Sequence, residues 1–167
     1  RNNQLKESFL NILFRGLSKD GGLFLPSEWP SISLEKLRGK SYQEVAHSII
    51  YPYIQDDISD TDLQLIINTA YENFDHKKIA PLVNIDQNKY ILELFYGPTF
   101  AFKDYALQFL GNLFSYLLHH RTKKITVLGA TSGDTGSAAI NAFKGKNGIE
   151  VFILHPHNNV SEVQRRQ

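Results

Sequence analysis

Apolar residues recur every three or four positions through most of the first half of the chain. Leu5, Phe9, Ile12, Leu13 and Leu17 keep that spacing, which predicts a helix over 4–17 ending near Gly16, with a tight turn at Asp20-Gly21-Gly22. Leu34–Arg38, Tyr42–Ile54 and Thr61–Phe74 read as further helices; in the last, Leu63, Ile66, Ile67 and Ala70 form one stripe, and Ser59 or Asp60 can cap it. Near residue 80 the pattern changes. Leu82–Ile85 and Tyr90–Phe95 read as strands around the turn-like Asp86-Gln87-Asn88, a hairpin. Asp104–His120 then carries Ala106, Leu107, Leu110, Leu113, Phe114, Leu117 and Leu118, the spacing of a long amphipathic helix, closed by the cationic His119-His120-Arg121.

Beyond it, Ile125–Leu128 and Val151–Leu154 are short apolar runs without in/out alternation, separated by a helix over 137–143 and the turn Gly145-Lys146-Asn147-Gly148. That order is a βαβ unit, and strands apolar on both faces belong to a parallel sheet covered by helices on both sides. The expected fold is therefore α/β: a mostly helical N-terminal domain over 1–79, then the start of a parallel-sheet βαβ domain over 80–167, incomplete. Incompleteness is expected on two grounds. There is no methionine, even at position 1, and the helix that Ser161 would cap runs to Gln167 without a stop signal.

Composition narrows the function classes. The 167 residues are 42% hydrophobic, enough for a sizeable core, and 18 Lys plus Arg stand against 17 Asp plus Glu. A net charge of +1 leaves no electrostatic footprint for nucleic acid or an anionic membrane. No apolar run reaches the roughly 18 to 20 residues of a membrane span, and Arg1-Asn2-Asn3-Gln4 does not open a signal peptide, so the chain reads as soluble. Without cysteine there is no disulfide, thiolate metal site or cysteine nucleophile. The six histidines show no metal-ligand spacing, and no metal is expected.

Two segments can carry chemistry. Thr131-Ser132-Gly133-Asp134-Thr135-Gly136 lies between a strand and a helix, at the carboxyl end of the strand where ligands of parallel sheets sit. A loop of small residues there aims backbone N–H groups and the positive end of a helix dipole at one spot, which suits a carboxylate or a phosphate. It fits neither G-x-x-x-x-G-K-[ST] nor G-x-G-x-x-G, so the loop alone does not say whose anion it takes. Asp134 reads equally well as a helix cap. The second segment is Gly97-Pro98-Thr99-Phe100-Ala101-Phe102-Lys103-Asp104. Lys103 follows three apolar residues, and an amine kept from water by them is poised as a nucleophile or base. A lysine snorkelling to solvent is the competing reading, although a helix start disfavours a cation.

Taken together, the segments resemble the threonine synthases. The resemblance rests on Asp20-Gly21-Gly22-Leu23-Phe24-Leu25-Pro26, on Leu92 through Asp104, on Ala130–Ala139, on His155-Pro156 and on Val163 through Gln167, in order and in register. It covers essentially the whole chain and corresponds to the N-terminal portion of enzymes more than twice as long.

The resemblance implies a pyridoxal 5'-phosphate lyase of fold type II (tryptophan synthase β-like) that turns O-phospho-L-homoserine and water into L-threonine and phosphate in the cytoplasm. It implies that Lys103 carries the cofactor covalently and shuttles protons between substrate carbons, with Phe102 and Asp134 beside the cofactor. Thr131, Ser132, Gly133, Thr135 and Gly136 would receive the substrate carboxylate. Asp134 stands where relatives often have Asn near the ring's 3-hydroxyl; a carboxylate there needs a shared proton to bond it. Arg165 and Arg166 either face the substrate phosphate or begin a solvated helix. Tyr96 replaces the His of many relatives, which puts that position's role in doubt. The glycine-rich loop for the cofactor phosphate and the group facing the pyridine nitrogen are expected outside residues 1–167, so this chain alone is expected to bind the cofactor weakly or not at all. Two alternatives stay open: a relative that releases 2-oxobutyrate, and a non-catalytic anion-binding domain. Oligomeric state is not legible.

Overall fold

The computed structural model describes residues 6–119, 124–157 and 159–166. The chain divides into two compact units, Arg1–Leu65 and Ile66–Gln167, so the division falls inside the helix Asp60–Tyr71.

The first unit holds α1 (Phe9–Arg15), α2 (Leu34–Leu37), α3 (Tyr42–Ile54) and the start of α4 (Asp60–Tyr71). α1 is shorter than the predicted 4–17. Ser8 Oγ accepts the Asn11 N–H at its start, and Gly16, at φ 72°, ends it; Leu5 lies outside the described residues. α3 has its predicted bounds because a reciprocal capping box opens it: Ser41 Oγ accepts the Glu44 N–H (3.2 Å), and Glu44 Oε2 accepts the Ser41 N–H (2.8 Å). The same chemistry selects Ser59 over Asp60 as the cap of α4, since Ser59 Oγ accepts the Asp62 N–H at 3.2 Å. Leu10 N–H donates to Asp57 Oδ2 (3.1 Å), tying α1 to the chain just after α3.

In the second unit, Ile66, Ile67 and Ala70 of α4 are buried, which is the predicted stripe from Ile66 onward, and Tyr71 is buried beside them. β1 (Leu82–Asp86) and β2 (Lys89–Leu92) form the predicted antiparallel hairpin, Leu82 opposite Leu92 and Asn84 opposite Tyr90, with Asn88 at φ 57° in its turn. β2 ends at Leu92 rather than Phe95. α5 (Asp104–His119) follows; His120 and Arg121, expected to close it, lie outside the described residues. β3 (Ile125–Ala130) and β4 (Ile149–Leu154) pair in parallel around α6 (Asp134–Phe143), the expected βαβ unit, and α7 (Glu162–Arg166) starts after Ser161, whose Oγ accepts the Gln164 N–H. Gln167 is outside the described residues.

The sheet corrects one expectation. Burial alternates strictly along both strands. Val127, Ile149, Val151 and Ile153 pack on Ala139, Ala142 and Phe143 of α6, together with Leu107, Leu110 and Phe114 of α5. Leu128, Phe152 and Leu154 are exposed. Among the described residues only one sheet face is covered, because α5 packs on α6 and not on the opposite face. The apolar runs within β3 and β4 thus serve two different faces: a core face and an open one.

Candidate active site

Lys103 and Asp134 begin neighbouring helices. Lys103 immediately precedes α5 and Asp134 is the first residue of α6. The packing of α5 on α6 brings residues 31 positions apart together, and Lys103 Nζ lies 3.3 Å from Asp134 Oδ1. The Lys103 side chain is 27% exposed and that of Asp134 48%. The ammonium also rests 4.3 Å from the centre of the Phe102 ring. Its shelter differs from the expected one, however. Only Ala101 of the three preceding apolar residues is buried; Phe100 is 65% and Phe102 59% exposed. Phe100 has a left-handed backbone, φ 62°, which turns it away from the interior. The lysine is therefore partly sheltered, mainly by folding back on Asp134 and Phe102.

The 131–136 loop sits at the carboxyl end of β3, as predicted. Several of its amides are already engaged. Thr131 N–H donates to Leu154 O, Gly133 N–H to Thr131 Oγ1 (3.2 Å) and Gly136 N–H to Gly133 O. The amides that open α6, at Asp134 and Thr135, have no partner within the helix, the general arrangement that favours negative charge at a helix start. Gly136 is a packing glycine: a β-carbon there would lie 2.9 Å from Thr131 Cγ2 and 3.0 Å from Ile153 Cγ2. Ser132 and Thr135 are exposed, and Gln164 reaches the loop, its Nε2 3.0 Å from where a β-carbon on Gly133 would stand.

Arg165 and Arg166 both turn to Glu162 of α7, at 3.0 and 2.8 Å, and remain mostly exposed. Glu162 also binds Arg166 through Nε at 2.9 Å. Tyr96 donates its hydroxyl to Glu93 Oε2 (2.7 Å) and its ring lies 4.7 Å from that of His76. The Glu93 hydrogen bond, then burial and the carboxylate charge, hold the phenol above its ordinary range. Among the described residues no group of acidic and histidine side chains is arranged to hold a metal ion.

This geometry, an amine and a carboxylate beside the start of α6, is found on a chain with clear relatives. A family model described as the threonine synthase N terminus matches residues 1–71. The threonine synthase of Pseudomonas aeruginosa is 45% identical over 163 residues, covering 96% of this chain and 35% of the relative. The chain belongs to the threonine synthase family. The crystal structure of PLP-bound threonine synthase from Brucella melitensis superposes with a TM-score of 0.89 at 46% identity, over 95% of this chain and 35% of that one. Threonine synthase from yeast gives 0.88 at 43%, over 97% and 35%. The chain thus spans about a third of the length of the threonine synthases it matches.

One further residue beside Lys103 stands out in the structure. Asp104 is wholly buried and takes two hydrogen bonds from Thr99. Its signal was faint: an acid opening a helix is ordinary, and only its burial marks it out.

Proposed function

We propose that the full-length protein is a threonine synthase, a cytoplasmic fold type II enzyme using pyridoxal 5'-phosphate to convert O-phospho-L-homoserine and water into L-threonine and phosphate. Division into an N-terminal domain over 1–79 and a catalytic domain from residue 80 belongs to the same reading. The single observation that carries it is the 3.3 Å approach of Lys103 Nζ to Asp134 at the head of the 131–136 loop.

The residues present fit the cofactor in their chemistry. Lys103 is a sheltered primary amine, able to condense with an aldehyde, and Asp134 is a carboxylate within reach of the same spot. Phe102 offers a flat apolar surface beside the amine. When bound, pyridoxal phosphate supplies an electron sink for negative charge developing next to the substrate's amine.

The chain's own residues do the rest. The amides at the start of α6 and the small residues Thr131, Ser132, Gly133, Thr135 and Gly136 would bind the substrate carboxylate and fix its orientation. The amides of Asp134 and Thr135, at the start of α6, would donate to it, and Thr131 holds the loop's shape through its hydroxyl. The Lys103 amine would take and return protons at the substrate carbons. Arg165 and Arg166 would serve the substrate phosphate only by leaving Glu162.

The test uses full-length protein loaded with pyridoxal phosphate, reduced with borohydride and mapped by peptide mass spectrometry, alongside product analysis with O-phospho-L-homoserine. A label on Lys103 together with threonine and phosphate is the expected result. A label on another residue overturns the assignment. Release of 2-oxobutyrate in place of threonine would keep the site and replace the reaction.

A further inference from the structure

We propose that Asp104 is a positioning residue for Lys103: its buried carboxylate, bonded twice to Thr99 and seated on Gly97, holds the 97–103 loop in the shape that aims the lysine amine at the start of α6. The inference rests on the role given to Lys103 above and names a further residue on which that role depends.

Of the polar side chains buried among the described residues, Thr99, Asp104 and Ser137, Asp104 carries the carboxylate, and it is 0% exposed. Burying a carboxylate is costly unless its oxygens are paired. Here both are: Oδ2 accepts the Thr99 N–H and Oδ1 accepts the Thr99 hydroxyl, each at 2.8 Å. A helix cap needs none of this burial, because it works at the surface and bonds forward to amides two or three residues on. Asp104 bonds backward, to a residue five positions earlier, so what it organises is the loop.

The loop has little freedom left. A β-carbon on Gly97 would stand 2.5 Å from Asp104 Cβ and Oδ2, so the carboxylate lies directly on the glycine backbone. Phe100 N–H closes a turn on Gly97 O (3.0 Å), and Asp104 N–H bonds Ala101 O (3.0 Å). Between them Phe100 holds φ 62°, a conformation that a non-glycine residue keeps only where its surroundings over-determine it. Lys103 shares a peptide bond with Asp104, so the carboxylate fixes where the lysine side chain departs. Untying Thr99 from Asp104 releases that departure point and, with it, the 3.3 Å approach to Asp134.

The experiment compares full-length wild type with Thr99→Val, Thr99→Ser and Asp104→Asn. In cofactor-free protein, competitive acetylation read by peptide mass spectrometry should find Lys103 slower than exposed Lys144 in wild type and Thr99→Ser. That protection is lost in Thr99→Val and Asp104→Asn. In loaded protein the same two variants should lose about 10- to 100-fold in kcat, with KM for O-phospho-L-homoserine held within about twofold, and lose visible circular dichroism from the lysine-bound cofactor. Thr99→Ser, which keeps both contacts, should restore all three readouts. Variants that lower the unfolding temperature yet leave Lys103 protection and the visible signal unchanged would overturn the proposal. Failure of wild type to label at Lys103 would instead bring down the functional reading, and the acetylation arm separates the two.

Discussion

Gly111 lies against the carbonyl of Ala142, where a β-carbon would stand only 2.3 Å from the oxygen. This is the crossing point of α5 and α6, the two helices whose starts carry Lys103 and Asp134. Backbone cannot move aside as a side chain can, so Gly111→Ala must push the helices apart. The expected cost is about 1–3 kcal/mol of unfolding free energy, with a parallel loss of Lys103 labelling by pyridoxal phosphate in the full-length protein. Denaturant unfolding and borohydride trapping check both. Wild-type stability in Gly111→Ala would mean that the helices do not meet there.

The Lys103–Asp134 pair is half open to water, so its value for stability is small. Asp134→Ala is expected to change the unfolding free energy by less than about 1 kcal/mol. If Lys103 has the proposed role, the same substitution should lower kcat of the full-length protein by about 10²-fold or more, because the lost carboxylate faces that amine. Chemical unfolding set beside steady-state kinetics separates these effects. A large stability loss with unchanged kcat would make Asp134 a structural cap, the other reading its sequence allows.

How much of this was legible depends on where each feature is encoded. α3 could be bounded to the residue because its start is written locally, in Ser41 and Glu44. α1 could not, since the spacing of Leu5 and Leu17 extends past the points where Ser8 and Gly16 stop the helix. α6 was placed from Ser137, three residues late, because Asp134 to Gly136 look like loop until Gly133 is seen to precede the first turn. The amine at Lys103 and the anion loop were each visible as candidates. Their meeting was not, because it depends on the packing of Gly111 on Ala142, a tertiary contact with no local signature. The open face of β3 and β4 was hidden for a similar reason: apolar residues on both sides of a strand do not tell which side this portion of the polypeptide covers.

Tyr96 should titrate late. Its hydroxyl donates to Glu93 Oε2, and that bond, burial and the carboxylate charge all favour the protonated phenol. The folded-state value is thus raised above the unfolded one. Its contribution to stability is full below the ordinary phenol range and is lost as pH rises through the folded value. Ultraviolet difference titration of wild type against Tyr96→Phe should show one phenol ionising at higher pH than ordinary tyrosines. Glu93→Gln should move that transition down. An unchanged titration in Glu93→Gln would mean that the carboxylate does not hold the phenol.

Leu128 and Phe152 are paired across β3 and β4, and Leu154 continues the row beside Ala130. Their exposures are 68%, 54% and 60%, so a contiguous apolar strip lies on the open sheet face. Soluble monomers rarely leave such strips bare, and two parallel strands add unpaired edge groups beside it. A polypeptide of residues 1–167 produced by itself is therefore expected to self-associate and to bind a hydrophobic dye. Leu128→Lys combined with Phe152→Lys breaks the strip with two like charges on adjacent strands and should shift the sedimenting species toward monomer. The α6 face is untouched by either change, since Val127 and Val151 point the other way, so helix content by circular dichroism should hold. Association that persists in the double variant would place the adhesive surface elsewhere, with the exposed hairpin residues Ile85 and Tyr90 as the next to substitute.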